Sequence, residues 1–107
     1  MTASEARELQ KEGLWASVHN ILANTIKDSV KKGNSFVAVY TNEEDEYVWE
    51  HSFEALRKLG YTVVEPYMLE TDSYKYTKYI EQLKHDGGIP KDIKYICRFT
   101  LIIWNDI

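Results

Sequence analysis

Three short apolar runs set the limits on what this chain can fold into. Ser35–Thr41, Tyr61–Glu65 and Ile93–Trp104 are the stretches that read as strands, and a segment of helical periodicity precedes each of them. The expected order is therefore α-β-α-β-α-β. A chain of 107 residues suffices for one hydrophobic core and is too short for two. The expected fold is α+β, one domain over 1–107, with a small three-stranded mixed sheet packed against two or three helices. A strand-helix-strand unit favours a right-handed crossover between parallel strands, which is why a mixed sheet is expected.

The local signals place the elements. Thr2 and Glu5 fit a capping box, opening a helix over Thr2–Lys32 in which Gly13 divides a short leading part from a main one. In the main part Trp15, Val18, Leu22 and Ile26, joined by Ile21 and Val30, form one apolar stripe. Gly33-Asn34 supplies the stop. Ser35–Thr41 is apolar on both alternating faces and reads as an interior strand. Thr41 and Glu44 form a second capping box before a helix with Trp49, Phe53 and Leu56 on one stripe, and Gly60 is the left-handed residue past its end. The segment 67–92 is ambiguous. A third helix from about Asp72 to His85, anchored by Ile80 and Leu83, is expected, but Tyr74, Tyr76 and Tyr79 also allow a strand. In the last run Tyr95, Cys97, Phe99, Leu101 and Ile103 share one face, and Arg98, Thr100, Ile96, Ile102 and Trp104 the other. A three-stranded sheet has two edges, so part of this long strand is expected to pair across a dimer or extend a larger sheet.

Composition excludes some function classes. A formal net charge of −4 argues against nonspecific nucleic-acid binding, which needs a basic surface. No apolar run approaches the roughly 20 residues that cross a membrane. One cysteine, Cys97, rules out a disulfide within the chain and fits a reducing compartment. The N-terminus lacks the basic-then-apolar pattern of a secretory signal. A cytoplasmic protein is expected.

No catalytic, metal or phosphate motif is present. His19, His51 and His85 lack the spacing of metal ligands, so neither a metal nor a cofactor is expected. Cys97 reads as a buried structural thiol, since nothing near it in sequence lowers its pKa. Gly87-Gly88-Ile-Pro90 lacks the fuller glycine pattern and the Lys-Ser/Thr of a phosphate loop.

Two features point to binding. From Glu43 to Glu65 there are seven acids and two bases, a local balance of −5. Negative charge at a helix start is favoured by the helix dipole, yet it also makes an acidic face suited to a basic partner. The second feature is the series Tyr67, Tyr74, Lys75, Tyr76, Lys78 and Tyr79, in which aromatic rings alternate with cations. Tyrosine is a preferred interface residue, and the mixture also stacks on bases and pairs with phosphates. The leading reading is a small non-enzymatic binding or inhibitory protein that meets a protein partner through Glu43, Glu44, Glu46, Glu50, Tyr67, Tyr74 and Tyr76. A second reading is a dimer that binds or sequesters a nucleotide-like anionic ligand through Tyr74, Lys75, Tyr76 and Lys78. A third is an enzyme whose groups, Glu or Tyr with a histidine, meet only in the fold.

The segments Val30-Lys-Lys-Gly33, Phe36-Val-Ala-Val-Tyr40, Glu54-Ala-Leu-Arg-Lys-Leu-Gly-Tyr-Thr-Val63 and Phe99-Thr-Leu-Ile-Ile-Trp104 together carry a family resemblance. The chain resembles small phage-encoded α/β accessory proteins, whose outline is a helix, a glycine, an apolar strand, a helix ending Leu-Gly-Tyr and a closing Tyr-Thr-Ile-Ser-Trp-like strand. The likeness spans residues 20 to 65 and 95 to 105. This chain departs from it in its longer insertion between the second and third strands and in the wording of its closing strand. Most such proteins have no assigned activity. The resemblance implies an origin, a viral accessory protein, more than a mechanism, and it implies no catalytic residue; with the leading reading above, the expectation is a phage accessory or counter-defence protein that blocks a host partner surface.

Overall fold

The computed structural model describes residues 1–40, 46–86 and 99–106. Its elements are α1 (Ala3–Ser17), α2 (Asn20–Lys31), β1 (Phe36–Tyr40), α3 (Glu46–Lys58), β2 (Thr62–Val64), α4 (Pro66–Asp72), a 3-10 turn (Ser73–Tyr76), α5 (Thr77–His85) and β3 (Phe99–Ile103). The α+β class stands. The chain has more helices than the expected order, because the first and third helical segments are each divided.

The break in the first segment falls at Val18-His19, not at Gly13. Val18 and His19 are both extended, with ψ of 132° and 136°. Gly13 lies inside α1 with open space where a Cβ would stand. A glycine in a helix lowers its stability without ending it, whereas the polar contacts of the two helix ends fix the bend, as described below. Thr2 Oγ1 accepts the Glu5 N–H at 3.2 Å, so the cap at the start forms as expected.

Two glycines end helices in the left-handed region, Gly33 at φ 79° and Gly60 at φ 101°. Each closes the same pair of bonds. Gly33 N–H donates to the Val30 carbonyl and Asn34 N–H to Ser29. Gly60 N–H donates to Arg57 and Tyr61 N–H to Leu56. That is the Schellman arrangement, which uses up carbonyls a helix end would leave bare.

The three strands lie in the order β1-β3-β2, and both ladders are antiparallel. The sheet is thus antiparallel rather than mixed. The last strand occupies the centre, and β1, expected inside, is an edge. β1 and β2 still run in the same direction, as a strand-helix-strand unit requires, but β3 separates them. Phe36 pairs with Ile103 and Tyr40 with Phe99 on one side of β3, and Thr62 with Ile103 on the other. The central position explains why all five residues of β3 are buried. The expected strand residues 93–98, including Tyr95 and Cys97, lie outside the described residues, as do the Thr41–Glu44 cap and Gly87-Gly88.

Helices cover both faces of the sheet. On one, Val18, Leu22 and Ile26 of the first helical segment and Trp49, Phe53 and Leu56 of α3 pack on Val39, Val63 and Ile102. On the other, Leu69 of α4 and Tyr79 and Ile80 of α5 pack on Phe36, Val64, Phe99, Leu101 and Ile103. The alternation read for the last run holds here: Phe99, Leu101 and Ile103 share one core and Ile102 joins the other. The stripe read on the first helix is narrower than expected. Ile21 and Val30 are exposed, since the bend after α1 turns only Leu22, Ile26 and Ser29 of α2 inward. In α1 itself no residue is buried, and only its last turns, through Leu14 and Trp15, touch the core.

Candidate functional site

Of the segment that sequence left ambiguous, residues 67–85 are helical, and 87–92 lie outside the described residues. Pro66 stands at the first position of α4, where its missing N–H and fixed φ do no harm. The inward residues Leu69, Tyr79 and Ile80 are buried, and Met68, Tyr76 and Leu83 pack half-buried beside them. Facing outward at intervals of four, three and four residues stand Tyr67, Thr71, Tyr74 and Lys78, all exposed. Tyr67 is 61% and Tyr74 72% accessible, so both rings project their apolar bodies into water. Tyr76, expected with them, turns inward and packs against the lower core.

The cations of this segment have local company. Lys75 Nζ lies 3.8 Å from Asp72 Oδ2 and 5.8 Å from the centre of the Tyr74 ring. Lys78 Nζ lies 5.4 Å from the centre of the Tyr79 ring. The two ammonium groups and Tyr76 therefore do not converge on a shared anion site. Thr71 Oγ1 donates to the carbonyls of Tyr67 and Met68, and Thr77 Oγ1 to that of Tyr74. What the segment offers outward is two tyrosine rings, Tyr67 and Tyr74, among exposed Thr71, Lys75 and Lys78.

Tyr79 anchors the segment from below. Its ring meets Phe36 edge to face at 5.0 Å, and its hydroxyl donates to Asp106 Oδ1 at 3.2 Å. Burial first, then Asp106, raises its pKa above the usual phenol value of about 10. Burial raises Tyr61 as well. A raised folded-state pKa gives stability that is complete below the unfolded value and lost as pH rises through the folded one. Urea midpoints are thus expected to fall above pH about 10, the unshifted phenol value. Tyr79→Phe, which cannot ionise, is expected to keep more of its own neutral-pH midpoint there.

The acidic candidates are more scattered. Glu50 is exposed on α3, and Glu46 opens that helix. Glu43 and Glu44 lie outside the described residues. Glu54 is held by Arg57 Nη1 at 2.6 Å.

Two side chains that sequence reasoning passed over hold the frame. Ser52 is buried in α3. Its Oγ accepts the His19 N–H at 2.9 Å and donates to the Ser17 carbonyl at 3.5 Å. One hydroxyl thus serves the end of α1 and the start of α2, which locates the bend between them. The spacing Trp49, Ser52, Phe53, Leu56 follows one helical face, and that signal marks Ser52 as inward. Arg57 is the second. Its Nη2 donates to the Val63 carbonyl at 3.1 Å and to Glu65 Oε2 at 3.0 Å. Burial opposes its charge most strongly, yet the hydrogen bonds to Glu65 and Glu54 prevail and raise its pKa.

The histidines do not assemble. His19 sits at the start of α2 against the Trp49 ring, 4.6 Å between centres. His51 is exposed on α3, and His85 ends α5 beside Asp86 at 3.4 Å. Among the described residues no three His, Cys, Asp or Glu side chains group as metal ligands. Two surface depressions are lined by Ser4, Glu5, Glu8, Leu9 and Glu12, and by Trp15, Ala16, Val18, Asn20, Ala23 and Lys27. Neither includes a residue of the tyrosine segment.

Three buried polar atoms, His19 Nδ1, Trp49 Nε1 and Thr100 Oγ1, lack a hydrogen-bond partner among the described residues. Thr100 is fully buried in the central strand. An unpaired buried hydroxyl costs about 1–3 kcal/mol, and valine keeps its branched shape. Thr100→Val is expected to raise stability by about 1 kcal/mol in urea unfolding.

No family model, curated protein or solved structure matches this chain. Among the described residues no helix is long and apolar enough to cross a membrane.

Proposed function

We propose that this is a small non-enzymatic binding protein of the cytoplasm that occupies a protein partner's surface through the tyrosine face of α4 and the 3-10 turn. A phage accessory or counter-defence inhibitor is the biological setting that its resemblance implies. One observation carries the reading: Tyr67 and Tyr74 stand exposed on an outward row while their inward neighbours pack. Exposed aromatics that keep their side-chain entropy cost low are favoured anchors at interfaces, where a partner covers the ring and leaves the hydroxyl a polar contact. Glu50 belongs to α3, in the helix layer across the sheet from α4, and is not part of this face. The nucleotide-binding reading has less support, because Lys75 and Lys78 lie against Asp72, Tyr74 and Tyr79 rather than facing a common site.

Native mass spectrometry after one gentle purification tests this, comparing the wild type with a Tyr67→Ala/Tyr74→Ala double variant. A protein that co-purifies with the wild type and is lost from the folded double variant supports the reading. Retention of that protein by the double variant counts against the tyrosine face. An adduct of a few hundred daltons that follows Lys75 and Lys78 replaces the proposal with the ligand-binding one.

A further inference from the structure

The two edges of the sheet are treated differently. The Trp104 N–H donates to the Ser35 carbonyl at 3.0 Å, which fixes the phase of the β1–β3 ladder. Ser35, Val37 and Val39 then turn their backbone groups toward β3, and Phe36 and Ala38 turn theirs to the open side. By the same phase β3 meets β2 at Thr62 and Val64, so the Val63 carbonyl points away from the sheet. That outward carbonyl is the one Arg57 caps. The β2 edge is three residues long and blocked. The β1 edge is five residues long, and those described residues carry no charge, proline or bulge. Among the described residues β1 shares a ladder with β3 alone; α2 and α3 pack on the face that holds Val39, and Tyr79 of α5 packs on Phe36 on the other face.

We propose that β1 pairs antiparallel with β1 of a second copy about a two-fold axis at Ala38, making one continuous six-stranded sheet. The strand is self-complementary about that residue. The axis sets Phe36 opposite Tyr40 of the other copy, Val37 opposite Val39, and Ala38 opposite Ala38. Aromatic meets aromatic, branched side chain meets branched side chain, and the small residue meets itself on the axis. An interface made by one patch against its own copy must have this property. A strand without charge also meets its copy with no like-charge repulsion. Tyr40, 56% accessible at the strand end, gains a cross-strand ring, and the half-buried Val37 and Ala38 lose their remaining exposure. The pairing is independent of the tyrosine-face reading. Because the axis runs through the plane of the sheet, it sets both α4–α5 layers on the same side, so two faces bearing Tyr67 and Tyr74 point one way.

Sedimentation over a range of concentrations tests the pairing. The wild type is expected to shift from monomer to dimer as concentration rises. Ala38→Pro removes the outward N–H that the pairing uses, while an edge strand tolerates proline at such a position. Tyr40→Lys puts a charge on an exposed edge side chain and is expected to weaken dimerisation by at least about tenfold. Circular dichroism and a cooperative melt establish that each variant is folded. If Ala38→Pro does not fold, Tyr40→Lys supplies the same reading. Loss of the dimer in a folded variant supports the proposal. A wild type that stays monomeric at the highest soluble concentration, or a dimer that both folded variants keep, overturns it.

Discussion

Phe99→Ala is expected to destabilise the protein by about 3–5 kcal/mol, the usual result of emptying a buried aromatic site. Phe99 is 1% exposed and begins the central strand. It packs in the core of Val64, Leu69, Leu101, Tyr79 and Ile80, and meets the Tyr40 ring at 6.4 Å. Both ladders depend on its strand, and the surrounding side chains come from two edge strands and two helices. Such a ring of separate elements closes on a cavity only by moving several of them, so the loss belongs at the upper part of the range. Domains of this size hold about 5–15 kcal/mol, so the variant sits near the folding threshold. In urea unfolding the midpoint should drop with little change in slope. A loss below about 1 kcal/mol would mean that this side of the sheet is not a packed core.

Replacing Arg57 has the next largest expected effect. Arg57→Met keeps the aliphatic stem and removes the guanidinium. Glu65, whose side chain is 14% exposed, then lacks its cation, and the outward Val63 carbonyl lacks its donor. A buried group left unpaired costs about 1–3 kcal/mol and a charge more, so a loss of about 2 kcal/mol is expected by urea unfolding. Glu54, 56% exposed on its side chain, contributes little to this, as exposed ion pairs usually do. A double-mutant cycle with Glu65→Gln separates the two bonds: the loss from Arg57→Met should shrink when Glu65 carries no charge. The variant also opens the second sheet edge, so light scattering at high protein concentration should rise relative to the wild type. An unchanged urea midpoint would mean that water serves Glu65 and Val63 as well as the guanidinium does.

Much of this fold is legible in the residues because local rules and tertiary packing agree there. Trp49, Phe53 and Leu56 fall on one helical face and go into the core. Gly33 and Gly60 end helices because a left-handed residue is needed at those points. Ile80 and Leu83 anchor a helix as their spacing implies. Sheet order is not local, and that is where reading failed. Ser35–Thr41 is apolar on alternate residues whether it lies inside or at an edge, since helices on both faces bury both sets of side chains. The bend at Val18-His19 was hidden for a related reason. It is made by Ser52, thirty-odd residues away, and no residue near the bend announces it. In the candidate site, the tyrosines were visible as residue types, but their directions depend on where α4 yields to the 3-10 turn. That change of pitch sends Tyr74 outward and Tyr76 inward.

The placement of β3 has a bearing on how the chain acquires its structure. The two edge strands share no ladder, and both wait for β3, which follows them in the sequence. Helical turns are local and form early, but loop-closure entropy must be met across more than half of the chain before Phe36 finds Ile103. During synthesis the earlier segments must therefore emerge with their apolar faces uncovered until residues 99–103 arrive. Because β3 contributes to both cores, its docking between the two edge strands is expected to close them together.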